Sequence, residues 1–437
     1  MNVCVMDHYM APPPFGPNQR HTRFARHFVA EGWSCTVVHA SYMHRPARPV
    51  PWHHGAVTSH HEDGVRFVSL ATPAYRGNGP MRVLNMLEFA RKAAALLPRV
   101  LTRGGDRPDV IVASSAHPFT CVAGILIARR LGIPCVAEIR DLWPLSLVSL
   151  GHAADRALWI RAMYRLERWI YEAADAIVFS MDGGSDYVSD RGWSQTVQRE
   201  KIHHVPNTVD LAAFDNAAAT HHFADAVLDD PGRGAVVYAG SLGPANAAHF
   251  LLEAAAILAA SGQPYDFVVY GDGIEMKRLD AFARHHGLRH VHLRGRVDGR
   301  FIPGILKRGA ANVMTLGDAP VYKYGTSLNK FAEYLASGRP IVTNVPSRTD
   351  VVGRLEAGVA VAPASAQALA EGIATVMGQS SDDRDAMGAR ARRAAAELDT
   401  PVVARRYMGL LEAVVSTFPR HGSRRPHPQS TERRRTA

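Results

Sequence analysis

Tyr322-Lys-Tyr-Gly-Thr-Ser-Leu-Asn-Lys-Phe-Ala-Glu-Tyr-Leu-Ala-Ser-Gly-Arg-Pro-Ile-Val-Thr-Asn344 spells a loop, a short helix and a strand in that order. Gly325 frees the backbone, and Thr326 or Ser327 is placed to cap a helix starting near Leu328. Gly338 followed by Pro340 stops that helix before a strand over Ile341 to Val345. The helix is short, and its N-terminus points at a loop.

Such an N-terminus presents unpaired N–H groups and the positive end of the helix dipole, which suit a phosphate or diphosphate. Lys330 falls in the first turn, and Asn329 and Glu333, four residues apart, share a face. A nucleotide diphosphate sugar meets that pattern. Its phosphates would lie at the helix start, while the Glu333 carboxylate accepts hydrogen bonds from the vicinal hydroxyls of a ribose. From these residues alone, a capped surface helix with an exposed glutamate reads equally well.

Working outward, Val236-Val-Tyr-Ala-Gly240-Ser241-Leu-Gly243-Pro-Ala-Asn246 gives a strand and a Gly-rich loop before a helix over Ala247 to Ala260. The chain also begins this way. A strand over Val3 to Asp7 leads through a Pro- and Gly-rich loop containing Gly16 into a helix from about Gln19 to Glu31, and Gly32 separates it from a strand over Cys35 to His39. Two βαβ starts in one chain predict paired nucleotide-type domains.

Between them, Asp109 to Ala113 reads as a buried strand followed by the loop Ser114-Ser-Ala-His117-Pro and a helix over Cys121 to Leu131. Pro134-Cys-Val-Ala-Glu138-Ile-Arg140-Asp141-Leu-Trp-Pro144 gives a second strand and polar loop at the same edge, where open α/β sheets hold ligands. His117 and Asp141 are therefore candidate catalytic residues, with satisfied loop residues the bland reading. The histidines at 44, 53, 54, 60 and 61 lie in a stretch read as a loop and lack metal-ligand spacing, so no metal is expected.

The run Phe-Ala-Glu333-Tyr-Leu-Ala-Ser-Gly338-Arg-Pro-Ile-Val resembles the C-terminal signature of the family-4 retaining glycosyltransferases. The resemblance implies an α/β chain of two facing Rossmann-like domains (GT-B type) with a C-terminal helix returning to the first domain. It implies residues 1–200 as an acceptor-side domain, 201–234 as crossing element and linker, and 235–400 as the nucleotide-sugar domain. A return helix would fill 401–418, leaving 419–437 as a disordered basic tail. Ile202-His-His-Val-Pro206-Asn207-Thr-Val-Asp210 is similar to the family's crossing element. The form Tyr-Gly-Thr-Ser-Leu-Asn-Lys, together with Glu-Ile-Arg-Asp-Leu-Trp-Pro, resembles a bacterial O-antigen and capsule subgroup that includes N-acetylfucosaminyl transferases.

By that resemblance Glu333 is the ribose-binding second glutamate of an E-x7-E motif. The first is missing: Gly325 stands eight residues earlier, and a gap that aligns Tyr324-Gly325 with the family's Phe-Gly puts Tyr322 in the acid's place. Ser241 and Asn246 occupy positions where the family carries an arginine and a lysine against the donor diphosphate. The donor site then comprises Gly16, Gly240, Ser241, Gly243, Arg296, Val297, Gly325, Thr326, Ser327, Asn329, Lys330 and Glu333. Lys330 supplies the cation, the Arg296–Val297 backbone reads the base, and Arg20 is a further candidate beside Gly16.

The implied reaction moves a hexosyl or N-acetylhexosaminyl group from a nucleotide diphosphate donor, UDP being expected, to a polysaccharide or lipid-linked (polyprenyl diphosphate) acceptor with retention. No cofactor is implied beyond the nucleotide-sugar donor substrate. A UDP-sugar 2-epimerase and a non-catalytic partner subunit remain alternatives.

Composition is consistent with a cytoplasmic enzyme at the inner face of the plasma membrane. No 18-residue apolar run occurs in the 437 residues, and no basic and apolar leader precedes the first strand. The four cysteines lie in apolar segments without CxxC spacing, as reduced buried thiols do. The net charge of +10 splits unevenly: +6 over residues 1–110, −1 over 111–418 and +5 over 419–437. An anionic membrane surface or acceptor is expected to meet the basic parts. Nucleic acid is not expected as a partner, because no nucleic-acid module accompanies the charge. The segment Met81 to Leu97 reads as a basic amphipathic helix, packed on the sheet or facing a lipid-borne acceptor.

Overall fold

A computed structural model describes residues 1–10, 20–44, 48–103, 107–230, 232–345 and 350–419. The expected Gly16 and the tail beyond residue 419 lie outside the described residues.

Two mostly parallel sheets organise the chain, and their inner strands are apolar runs too short for helices and buried on both faces. The first has eight strands, in the spatial order Ile202–His204, Ala176–Phe179, Cys135–Ile139, Val110–Ser115, Asn2–Asp7, Ser34–Ala40, Val65–Leu70 and Val57–Glu62. All neighbours run parallel except the last pair, where His60 and His61 sit on an antiparallel edge strand rather than in the expected loop. The second has six parallel strands, ordered Val291–Gly295, Asp266–Tyr270, Ala235–Ala239, Ala311–Met314, Ile341–Thr343 and Gly358–Ala360.

In each sheet the strand order reverses once, between Asn2–Asp7 and Val110–Ser115 in the first and between Ala235–Ala239 and Ala311–Met314 in the second. The loops leaving those strands diverge to opposite faces and open a crevice at the carboxyl edge. His8 and His117 follow the first pair. Gly240 and the segment leading to Lys330 follow the second.

Helices cover both faces of each sheet. On one face of the first, helices Pro80–Val100, Pro118–Leu131 and Leu158–Ala173 bury Phe89, Ala93, Cys121, Ile125 and Ile160. On its other face, Arg20–Ala30 packs with Thr400–Thr417, and Tyr407 meets Phe24 edge-on at 5.5 Å. The final helix thus returns to the first domain. Residues 211–220 form a helix, and Phe214, Val227 and Leu228 join the core of the second domain, so much of the stretch expected to be linker is packed structure.

Candidate active site

Lys330 is the second residue of the helix Asn329–Ala336, and its side chain crosses the second sheet's switch point to the loop after Ala239. Its Nζ donates to Asn246 Oδ1 at 3.1 Å and to Tyr238 Oη at 3.4 Å, and lies 4.8 Å from the Tyr238 ring centre. These hydrogen-bond partners are neutral. Burial of the ammonium, with no carboxylate beside it among the described residues, lowers its pKa to about 7.

The loop facing Lys330 is pinned by close backbone approach. Gly271, at φ +153°, lies so near Gly240 O that a Cβ there would be 1.8 Å from it. Gly240 N–H donates to Tyr270 O at 2.9 Å and Leu242 N–H to Asp272 O at 2.9 Å. The expected phosphate donor Gly240 is therefore already engaged. The Ser241 and Gly243 N–H groups make no hydrogen bond among the described residues, and neither do those of Asn329 and Lys330 at the helix start. Four backbone donors and one ammonium thus border the crevice, the arrangement that holds a diphosphate.

The helix is not capped as the sequence suggested. Leu328 occupies the cap position without a side-chain bond, and Ser327 is used otherwise: Asn207 Nδ2 donates to its carbonyl and to its hydroxyl oxygen, both at 2.9 Å. Thr326 makes no cap bond either. A caught Ser327 leaves the helix-start N–H groups free for a ligand. Gly325, at φ +87°, faces Asp182 of the first domain so closely that a Cβ would lie 2.1 Å from Oδ1. Lys323 Nζ and Tyr324 Oη both donate to Asp190, at 2.8 and 2.9 Å. The loop before the helix is thereby fastened to the first domain.

Glu333 is half-buried one turn past Asn329, and its carboxylate forms no hydrogen bond among the described residues. Burial raises its pKa, against the pull of Arg23 from the first domain. Arg23, which sequence reasoning passed over, donates to Thr208 O at 2.7 Å. Asn329 is exposed on the same face. Arg296 and Val297 follow the strand Val291–Gly295, and their backbone groups make no hydrogen bond among the described residues.

On the first domain, the helix after His117 begins at Pro118, three residues earlier than expected, because proline suits the first helical position and costs no hydrogen bond there. His117 is wholly buried beneath the crevice, not on an open loop. Its Nε2 meets His8 Nδ1 at 2.5 Å, and His8 Nε2 meets Asn85 Oδ1 at 2.6 Å. Asn85 Nδ2 donates to Pro73 O, which fixes its amide orientation. His8 therefore donates from Nε2 and accepts at Nδ1 from His117, whose own Nδ1 is buried without a partner among the described residues. Burial holds both rings neutral, lowering the His8 pKa to about 3 and that of His117 well below its usual value.

Asp141 opens to solvent at the crevice, yet enough protein surrounds it to raise its pKa by desolvation, opposed by Arg140. Burial and, after it, the Asp141 charge raise the pKa of Tyr322. Tyr322, which the sequence resemblance puts in the missing acid's place, thus feels a first-domain carboxylate.

Arg20 is no phosphate ligand in this arrangement. It is buried, with Nη2 3.2 Å from Glu138 Oε2 and Nη1 donating to Pro206 O at 2.6 Å and Asn207 Oδ1 at 3.1 Å. His21 bridges Asp7 and Glu138 at 2.7 Å each, and Tyr407 Oη donates to Glu138 at 3.3 Å. These residues join the first sheet, the crossing element and the returning helix beneath the crevice.

Two family models match the chain: a glycosyl transferase 4-like domain over residues 15–208 and glycosyl transferases group 1 over residues 233–379. A sequence comparison with curated proteins finds no match. Among solved structures, sucrose-phosphate synthase from Thermosynechococcus elongatus aligns with a TM-score of 0.71 at 17% identity, over 95% of this chain and 99% of that one. HepE of Anabaena, solved with UDP and glucose, gives 0.63 at 15% identity over 94% and 100% of the two chains. A trehalose-6-phosphate protein from E. coli, bound with UDP-2-fluoro glucose, gives 0.66 at 12% identity over 94% and 98%.

Proposed function

We propose that the chain, which matches a glycosyl transferase 4-like domain followed by glycosyl transferases group 1 in a GT-B arrangement, is a glycosyltransferase that moves a sugar from a UDP-linked donor to a saccharide or lipid-linked acceptor with retention. The observation that supports this most is Lys330 facing the Gly240–Asn246 loop across the switch point, with neutral partners only and unpaired backbone N–H groups on both sides. The choice of UDP is supported by the similar folds solved with UDP and UDP-2-fluoro glucose.

In this reading the charged Lys330 and the N–H groups of Ser241, Gly243, Asn329 and Lys330 stabilise the departing diphosphate as negative charge develops on it. Glu333 receives the ribose hydroxyls, and the Arg296–Val297 backbone receives the base. The bond from the anomeric carbon to the diphosphate oxygen breaks, and the acceptor hydroxyl bonds that carbon on the same face, its proton passing to the departing diphosphate. Tyr322, which takes the missing first glutamate's place in the alignment, lies within the field of the Asp141 carboxylate.

The test is turnover by the purified single chain with a panel of UDP-sugars and with saccharide or lipid-linked acceptors, the product's anomeric configuration being read by NMR. Transfer with retained configuration is expected. Epimerisation of the donor without acceptor would assign the chain to a UDP-sugar 2-epimerase, and UDP binding without turnover to a non-catalytic subunit.

A further inference from the structure

Helices Pro80–Val100, Pro118–Leu131 and Leu158–Ala173 form one layer over the first sheet, and their outward faces mix large apolar side chains with charged ones. On the first, Met81, Val83, Leu84 and Leu87 are each nearly half exposed. On the third, Leu158 is 81% and Trp159 51% exposed, with Leu150 exposed just before it. Each of these helices links parallel strands and so begins at the sheet's carboxyl edge, which places residues 81–87 and 158–159 on the rim of the crevice. Large apolar side chains concentrated this way mark an interaction surface.

The charge around them is predominantly basic. Residues 76–100, 118–131 and 150–173 hold eleven Arg and Lys against four Asp and Glu, and Glu167 is one of those four but buried. Beside Trp159, a surface pocket is lined by Asp155, Arg156, Arg161, Tyr164 and Arg191. Arg191 stacks on the Tyr164 ring at 3.7 Å, and its buried Nε has no hydrogen-bond partner among the described residues. Three guanidiniums around a pocket with one carboxylate suit a phosphate group. Apolar residues flanking basic ones along a helix suit the interface of a bilayer.

We propose that this helix layer docks on an anionic bilayer, with Arg156, Arg161 and Arg191 receiving a lipid headgroup phosphate while Leu158, Trp159 and residues 81–87 enter the interfacial region. A lipid-linked acceptor would then meet the crevice at its rim. This deepens the lipid-linked acceptor reading, and UDP titration of each variant reports on the donor site separately, so that failure of one reading is distinguishable from failure of the other.

The experiment measures binding of the full chain to phosphatidylcholine vesicles with and without phosphatidylglycerol. Binding to the anionic vesicles is expected to fall about tenfold or more in Leu158→Glu/Trp159→Glu and in Arg156→Ala/Arg161→Ala, with UDP affinity unchanged. Brominated lipid should quench the fluorescence of the parent, and less so that of Trp159→Phe. Parental binding by both double variants, or equal binding to neutral and anionic vesicles, overturns the proposal. So does displacement by inorganic phosphate at constant ionic strength together with insensitivity to the Leu158 and Trp159 changes, which assigns the pocket to free phosphate. A dimer in solution that Leu158→Glu/Trp159→Glu dissolves makes the face a contact between copies and likewise overturns it.

Discussion

Lys330 Nζ lies 3.1 Å from Asn246 Oδ1, so the cation of one wall of the crevice is held by a neutral amide of the other. A buried ammonium without a counter-charge costs stability, and that cost is present at neutral pH because an unfolded lysine is charged there. Lys330→Met keeps the apolar stem and removes the charge. Its melting temperature is expected to equal or exceed the parent's, while UDP affinity falls about ten- to hundredfold with the loss of charge-assisted bonds to the diphosphate. A lower melting temperature with unchanged UDP affinity would make Lys330 a structural residue.

Because burial sets the Lys330 pKa near 7, binding of an anion should be linked to a proton. The charged form binds the diphosphate, and the bound diphosphate raises the lysine pKa. Below pH 7 the ammonium is already present, and UDP affinity should change little from this source. Above pH 7 affinity should fall by up to about tenfold per unit until the pKa of the bound state is reached. Calorimetry at pH 8 in buffers of different ionisation enthalpy should show proton uptake on binding. Lys330→Met should abolish that uptake.

Glu333 is unpartnered among the described residues and already partly desolvated, so a ribose would find its acceptor oxygens free. Two charge-assisted hydrogen bonds contribute about 1.5–3 kcal/mol each, which puts the loss of UDP affinity in Glu333→Ala at tenfold or well beyond. Glu333→Gln should retain part of the affinity. Titration with UDP and with 2′-deoxy-UDP checks the assignment, because the variant and the missing hydroxyl should not lose affinity additively.

The two-domain fold was legible because its strands are short apolar runs separated by Gly- and Pro-marked turns, a signal contained within a few residues. The start of the helix at Pro118 was missed by three residues although proline prefers the first helical position, because the loop reading ran through it and also took Ser114 and Ser115 out of their strand. The proposed donor wall was read through Lys330 and Glu333, whose spacing is local. Ser327 was misread as a cap because its partner, Asn207, lies 120 residues away. The same distance effect hid the pairing of His8 with His117, 109 residues apart, and the burial of Arg20 against Glu138. Charged residues predict function from sequence poorly when their partners come from other elements.

Asn207 joins the two domains by accepting from Arg20 through Oδ1 and donating to Ser327 through Nδ2. Asn207→Ala leaves one Arg20 donor and the Ser327 oxygens short of a partner, at a cost of about 1–3 kcal/mol. The urea midpoint should fall accordingly. The loop before Asn329 should also loosen, so transfer activity is expected to drop more than UDP affinity does. Asn207→Asp retains the acceptor for Arg20 and loses the donor to Ser327, and should recover stability in preference to activity.

His21 sits between Asp7 and Glu138, and its protonation ties stability to pH in a definite direction. Burial opposes its charge, but Glu138 and Asp7 outweigh that effect and raise its pKa above 6.5. Its contribution is therefore complete below pH 6.5 and lost as pH rises through the higher folded value. Glu138 runs the other way. Desolvation works against its charge, yet Arg20 and His21 hold its pKa well below 4.5, so its contribution is complete above pH 4.5 and lost as pH falls through the folded value. The cluster should be strongest between pH 4.5 and 6.5. His21→Gln, measured by urea unfolding at pH 5.5 and pH 8.5, should be less stable than the parent at both, with the larger deficit at pH 5.5, where the parent's imidazolium is fully formed. An equal deficit at the two values would mean that His21 acts only as a neutral hydrogen-bonding spacer between the two carboxylates.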